Sequence, residues 1–296
     1  MKVIDYINDV SDRFAGAELF FGHGTESPRD EAIYLIYSIL GIEFSRDPAT
    51  LKKELSGVQQ QRLERIVVER MLEKTPTAYL VKEAWFAGYK FICDKRALIP
   101  RSPIAELVQN RFEPLLKDQP KKILDMCCGG GCIGISCALA FPESYVDMVD
   151  ISTDCLHLAE ENIELHGLLD RVSVVHSDLF KGLSGTYDLI VTNPPYVSKE
   201  ELDSLPAEYQ HEPLNGLLSK AKGLEIPLRI LNDAANYMSE TGLIVMEVGS
   251  SSKLLSGTLK SVPLLWLEFE HGGGGVLALS AAELDLIPSA SLYKWP

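Results

Sequence analysis

The sequence predicts an α/β protein: a doubly wound, mostly parallel sheet finished by an antiparallel hairpin, preceded by a small helical unit. Three observations predict it. From Lys121 onward, short apolar runs suited to buried parallel strands alternate with helical patterns. The first run is followed by a glycine-rich turn, Gly129-Gly130-Gly131, that opens a helix. Before Pro76, apolar residues recur only at helical spacing.

In order, Val3, Ile4, Ile7 and Val10 share one helical face. Glu31 to Leu40 and Leu51 to Leu72 give two further amphipathic helices, the latter with Leu55, Leu63, Ile66 and Val67 inward, and Pro28, Gly41, Pro48 and Gly57 punctuate them. Trp85 to Ile99 sets aromatic residues around Gly88 and predicts a β-hairpin connector. In Pro100-Arg101-Ser102-Pro103, Ser102 suits an N-cap and Pro103 a first helical position, so a helix is expected to about Leu116. Strands are expected at 122–126, 145–149, 172–176, 187–192 and 243–248, and helices at 134–140, 154–166 and 226–238. Leu264 to Phe269 and Val276 to Leu279 flank a glycine run and predict the closing hairpin. The expected organisation is a helical unit over 1–82, a connector over 83–99 and the α/β domain over 100–296.

The chain has 296 residues and a net charge of −14. That charge repels a phosphate backbone, which argues against a DNA substrate, and it attracts a basic partner. No apolar run is long enough to cross a bilayer, and Met1-Lys2-Val3-Ile4-Asp5-Tyr6 lacks an export pattern, so a cytoplasmic location is expected. Four of the six cysteines (Cys127, Cys128, Cys132 and Cys137) cluster without metal-ligand spacing and are expected to serve as small buried apolar residues, with no metal bound.

Asp125-Met126-Cys127-Cys128-Gly129-Gly130-Gly131 ends the first strand and forms a candidate cofactor loop. A loose G-x-G-x-x-G (Gly129, Gly131, Gly134) by itself suggests a dinucleotide. Asp125, standing just before the glycines, would repel a pyrophosphate, and no lysine serves a triphosphate. A cationic cofactor fits better, namely S-adenosyl-L-methionine. Asp150, with Ile151 behind it, closes the second strand where a carboxylate grips ribose hydroxyls. Asp178 and Leu179 close the third, where an acid can accept from an adenine amino group and Leu179 can pack on its face.

Asn193-Pro194-Pro195-Tyr196 follows the fourth strand. The prolines stop the strand and hold Asn193 extended at the carboxyl edge of the sheet, where such folds bind ligands. The Asn193 side-chain oxygen and the Pro194 carbonyl can accept both hydrogens of one planar NH2 group, with Tyr196 as a wall. An amide and an exocyclic adenine amine both satisfy this grip.

With these motifs the chain resembles the N(5)-glutamine protein methyltransferases, a family of class I, S-adenosylmethionine-dependent enzymes with a Rossmann-like sheet. The resemblance spans nearly the whole chain. Phe20-Phe21-Gly22-His23-Gly24-Thr25, Pro100 through Leu107, Glu208 through Pro213 and Trp266 through Glu270 resemble the subgroup acting on ribosomal protein L3. It implies glutamine methylation of that basic protein, a release factor being the alternative substrate. It also implies roles for Asn193, Pro194, Pro195 and Tyr196 at the amide. His211, in a polar, proline-bounded loop after the motif, is placed either to contact the substrate or to make a loop-stabilising hydrogen bond, and Arg101 either to order the substrate site or to form a cap or salt bridge. Cys128 and Gly130 stand where the family commonly has hydroxyl residues, which is expected to weaken the grip on the cofactor carboxylate while leaving close approach intact.

Overall fold

The structure is a computed structural model that describes residues 1–43 and 48–287. The N-terminal part holds α1 (Val3–Gly16), α2 (Pro28–Leu40), α3 (Pro48–Leu51), α4 (Gly57–Glu73) and α5 (Thr77–Val81). Val3, Ile7, Val10, Phe14, Leu35, Ile36, Leu63 and Val67 pack into one apolar cluster. Each such side chain contributes about 1.5–3 kcal/mol through burial. The helix expected across Leu51 to Leu72 is divided instead. Ser56 accepts from the Gln59 backbone N–H and the Gln59 side chain accepts from the Ser56 N–H. This reciprocal cap starts α4 at Gly57 and leaves Leu55 buried in the preceding connection.

β1 (Glu83–Phe86) and β2 (Tyr89–Ile92) form the expected hairpin. The helix after it is shorter than expected: α6 is Ile104–Gln109, with Pro103 at the N-cap position. Arg111 and Phe112 have φ of 53° and 58°, turning the chain so that Phe112 becomes fully buried against Phe141. Pro114 disfavours helical geometry at Glu113 in any case.

The α/β part contains β3 (Lys122–Met126), α7 (Cys132–Ala140), β4 (Tyr145–Asp150), α8 (Thr153–Leu165), β5 (Val172–His176) and β6 (Tyr187–Thr192). Short helices α9 (Lys199–Leu202) and α10 (Leu214–Leu217) follow, then α11 (Glu225–Ala234), β7 (Met238–Glu247), α12 (Ser252–Thr258), β8 (Leu265–Trp266), β9 (Val276–Ser280) and α13 (Ala281–Leu284). Met238, expected to end a helix, starts β7 and pairs with Tyr187. The closing hairpin is present, with β8 reduced to two residues.

The seven strands lie in the order β5-β4-β3-β6-β7-β9-β8; β3 to β7 are parallel and β9 is antiparallel to both neighbours. Alternation sends Ile123, Leu189, Val191 and Val245 into one face and Leu124, Met126, Ile190, Ile244 and Met246 into the other. The order reverses between β3 and β6, where Met126 pairs with Thr192. The Thr192 hydroxyl donates to the Met126 carbonyl at 2.7 Å. The glycine turn after β3 and the Asn193 turn after β6 therefore leave adjacent strands at the switch point, the place in an open α/β sheet that holds ligands.

Candidate active site

A cavity of about 490 Å³ opens at this edge, within the roughly 300–1,000 Å³ usual for small-molecule sites. It is lined by Cys127, Cys128, Gly129, Gly130, Asp150, Ile151, Asp178 and Leu179 on one side and by Asn193, Pro194, Pro195, Tyr196 and Arg101 on another. The sheet thus gathers nearly all the expected site residues into one space.

The glycine turn is built for close approach. Gly131 has φ of 82°, and a Cβ there would stand 3.0 Å from Met148 Cε. Gly131 caps α7 and does not itself line the cavity. Gly130 is constrained from another side: its Cβ would meet Leu158 Cδ2 at 3.2 Å, so packing, as well as the missing hydroxyl, distinguishes this position from serine. Its carbonyl accepts from Asn162 Nδ2 at 2.9 Å.

Asp125, a candidate cofactor-binding residue, lies beneath the turn rather than in the cavity lining. It is 1% exposed, and its Oδ2 accepts from the Gly134 N–H at 2.7 Å, which fixes the first turn of α7. Among the described residues Oδ1 has no hydrogen-bond partner. Burial pushes this carboxyl up to about 7. A buried, unsatisfied acid below a glycine turn suits a cationic cofactor above it.

Asp150 accepts from the Gly129 N–H through Oδ2 and the Ser152 N–H through Oδ1, both at 2.9 Å. Each oxygen keeps a lone pair for a ribose hydroxyl. Asp178 is more occupied than expected: Lys181 reaches Oδ2 at 2.7 Å and Arg229 reaches Oδ1 at 2.8 Å. An adenine amino group there would share the carboxylate with Arg229, itself a lining residue that no sequence pattern singled out. Five cysteines, Cys93, Cys127, Cys128, Cys132 and Cys155, also line the cavity. Burial pushes their thiols up, so at neutral pH they act as apolar wall.

Among the described residues, neither the Asn193 carboxamide nor the Pro194 carbonyl engages another protein group by hydrogen bond. Both acceptors remain available. Tyr196 is held differently. Its hydroxyl donates to Glu247 Oε1 at 2.7 Å, and Ser102 Oγ donates to Oε2 at 2.6 Å. Glu247 is 4% exposed, and burial pushes its carboxyl up despite these two donors. Gly249 lets the ring pass, since a Cβ there would stand 2.5 Å from Tyr196 Cε2. Tyr196 is therefore a fixed wall with its hydroxyl turned to the protein.

Arg101 makes a two-pronged pair with Glu212, Nη1 to Oε1 and Nη2 to Oε2, each at 2.6 Å, and lies 5.1 Å from the Tyr209 ring centroid. Glu212 also accepts from the Ile99 N–H at 3.1 Å. Burial disfavours its charge, but His23 and Arg101 outweigh that and hold the carboxyl at about 2, below its ordinary 4.5. A depressed carboxyl stabilises the fold above its unfolded-state value and loses that contribution as pH falls through the folded one. The Tm is expected to drop between about pH 4.5 and about pH 2 more steeply in the wild type than in Glu212→Gln. Equal slopes in thermal unfolding would refute this account of the pair.

His211, expected near the substrate, is absent from the lining. Its Nε2 lies 2.8 Å from the Glu73 carbonyl, so it ties the loop to the end of α4. Glu208 joins a second tether: it accepts from the Phe20 N–H at 2.8 Å and from Arg70 Nη1 at 3.1 Å, while Arg70 Nε reaches Glu31 at 2.5 Å. The N-terminal helices thus hold the loop that follows the Asn193 turn.

Two curated relatives bear on this arrangement. A protein of Francisella tularensis named ribosomal protein uL3 glutamine methyltransferase is 41% identical over 95% of this chain and 90% of its own length. One of Xanthomonas campestris with the same name is 45% identical over 95% of this chain and 92% of its own. The chain belongs to the ribosomal protein uL3 glutamine methyltransferase family. Residues 107–208 also match the family described as the Methyltransferase small domain, and residues 15–81 match the PrmC N-terminal domain. The catalytic domain of hMettl16 in complex with an RNA hairpin shares the fold at a TM-score of 0.55 and 17% identity, over 84% of this chain and 90% of its own. The family and the switch-point cavity agree on a methyltransferase fold. Among the described residues no helix is long and apolar enough to cross a membrane.

Proposed function

We propose that the protein transfers a methyl group from S-adenosylmethionine to the side-chain amide nitrogen of a glutamine in ribosomal protein uL3. The observation that carries this reading is the pair of unengaged acceptors, the Asn193 carboxamide oxygen and the Pro194 carbonyl, on the wall of a glycine-lined cavity. The family relatives and the charge of −14, complementary to a basic protein, support the substrate.

The Gly129–Gly130 turn, Asp150, Asp178 and Leu179 would hold the cofactor, with Asp125 fixing the first turn of the helix beneath. S-adenosylmethionine supplies a methyl carbon already activated by its sulfonium. The amide nitrogen is a poor nucleophile, because its lone pair is delocalised into the carbonyl. The task of the protein is alignment, which alone can supply several kcal/mol. Asn193 accepts one amide hydrogen and Pro194 the other, so the nitrogen is presented in one orientation while positive charge develops on it. Tyr196, fixed by Glu247, closes the side of the pocket and limits motion of the glutamine stem. No strong base is needed before transfer, because the amide proton becomes acidic only as the new bond forms.

The test is mass spectrometry of purified uL3 after incubation with the protein and S-adenosylmethionine, in parallel with a release factor. One methyl added to a uL3 glutamine is the expected result. Modification of the release factor alone would overturn the substrate, and modification of neither would overturn the reading.

A further inference from the structure

A second cavity, of about 320 Å³, shares the Ile99-Pro100 wall with the catalytic one. His23, Asp30, Tyr34 and Trp85 also line it. Nothing in the mechanism above uses these four side chains. Among the described residues, no lysine or arginine lines this space.

His23 is the informative group. It is 7% exposed, yet among the described residues neither Nδ1 nor Nε2 has a hydrogen-bond partner. Buried polar atoms are almost always satisfied, and an unsatisfied one needs a reason. Tyr209 packs against the ring at 4.6 Å and fixes its position without satisfying it. Glu212 Oε2 lies 3.6 Å from Nε2, beyond hydrogen-bond reach, and is itself paired with Arg101. Asp30 adds an exposed carboxylate, oriented by the Ser27 hydroxyl at 2.6 Å. Trp85, 46% exposed, adds a large aromatic surface. An unpartnered acceptor, acidic charge and an indole together suit a cationic side chain.

We propose that this cavity is a second anchoring subsite for the protein substrate and takes a lysine or arginine side chain while the glutamine occupies the neighbouring cavity. The proposal rests on the protein-methylation reading above. Asp30 supplies the counter-charge and Trp85 covers the stem, beside the buried, unpartnered His23 ring. The charge of −14 favours the same class of partner over an anionic one. Binding at two points explains how one glutamine can be chosen among many: the catalytic grip reads only an NH2 group, and the second cavity adds a basic residue at a fixed distance from it.

The experiment compares steady-state kinetics of wild type, Asp30→Asn and Trp85→Leu on intact uL3, with S-adenosylmethionine affinity measured separately by calorimetry. Each substitution is expected to raise the KM for uL3 about fivefold, from the loss of one exposed charge pair or cation–π contact, with kcat and cofactor affinity unchanged. The Asp30→Asn effect should shrink as salt is raised. A second arm titrates N-acetyl-arginine amide into wild-type protein and follows the His23 ring resonances by NMR. Saturable shifts that Asp30→Asn weakens are expected. Unchanged KM values in both variants, or no shift of His23 with the probe, would overturn the subsite. Failure of wild type to methylate uL3 would overturn the function instead, and the probe titration still decides the subsite.

Discussion

An Asn193→Ala protein is expected to bind S-adenosylmethionine within about twofold of wild type and to turn over about a hundredfold more slowly or worse. The asymmetry follows from what the side chain touches. Among the described residues the Asn193 side chain has no hydrogen-bond partner that its loss would strand, so the fold has little to lose. The prolines after it, and the Thr192 hydroxyl bonded to the Met126 carbonyl before it, keep the backbone in place. What disappears is one of the two acceptors that present the amide nitrogen. Removing one preorganised group aimed at developing charge costs about 3–4 kcal/mol in comparable sites. Single-turnover methylation with calorimetry on the same preparation separates the two effects. Wild-type turnover in this variant would remove the alignment mechanism altogether.

Arg70→Met is expected to cost about 3–5 kcal/mol of stability, a large fraction of what a protein of this size has. Arg70 is 1% exposed and bridges two buried carboxylates, Glu31 and Glu208, while also donating to the Phe20 carbonyl at 3.0 Å. Methionine fills much of the volume but leaves both acids without a cation. Burial alone pushes Glu208 up, and its hydrogen bonds and Arg70 bring it down below its ordinary value. The triple variant Arg70→Met, Glu31→Gln, Glu208→Gln should recover a good part of the loss, because the penalty lies in the uncompensated charge. Urea denaturation of the three proteins measures this. A single variant as stable as wild type would show that the bridge contributes nothing.

The parallel sheet was legible because buried strands need continuous apolar runs, and Lys122 to Met126 and Tyr187 to Thr192 are such runs. The turn chemistry was legible too, since glycines after β3 and prolines after β6 act on the local backbone. Side-chain destinations were not. Asp125 sits at the expected strand end, but only the position of α7 directs its carboxylate to the Gly134 N–H. Arg101 and Glu212 are separated by 111 residues, and Ser102 and Glu247 by 145, so no local pattern pairs them. His211 stood in a polar loop that suited a substrate contact, and it turned to the Glu73 carbonyl because α4 packs beneath that loop. The helix after Pro103 ended early because burying Phe112 outweighed the intrinsic preference of the segment to continue.

The Arg70–Glu208 contact has a bearing on how the protein is made. The two residues are separated by 138 positions, and Glu31, which shares the guanidinium, precedes both. During synthesis the N-terminal helices emerge first and can assemble around the Glu31–Arg70 half of the bridge alone. That half is charge-balanced on its own, and Glu208 adds a second carboxylate to the same guanidinium when the later loop is extruded. The loop that carries Glu208 is extruded after β6 and before β7, β8 and β9, so it meets helices already made while three strands of the sheet are still to come.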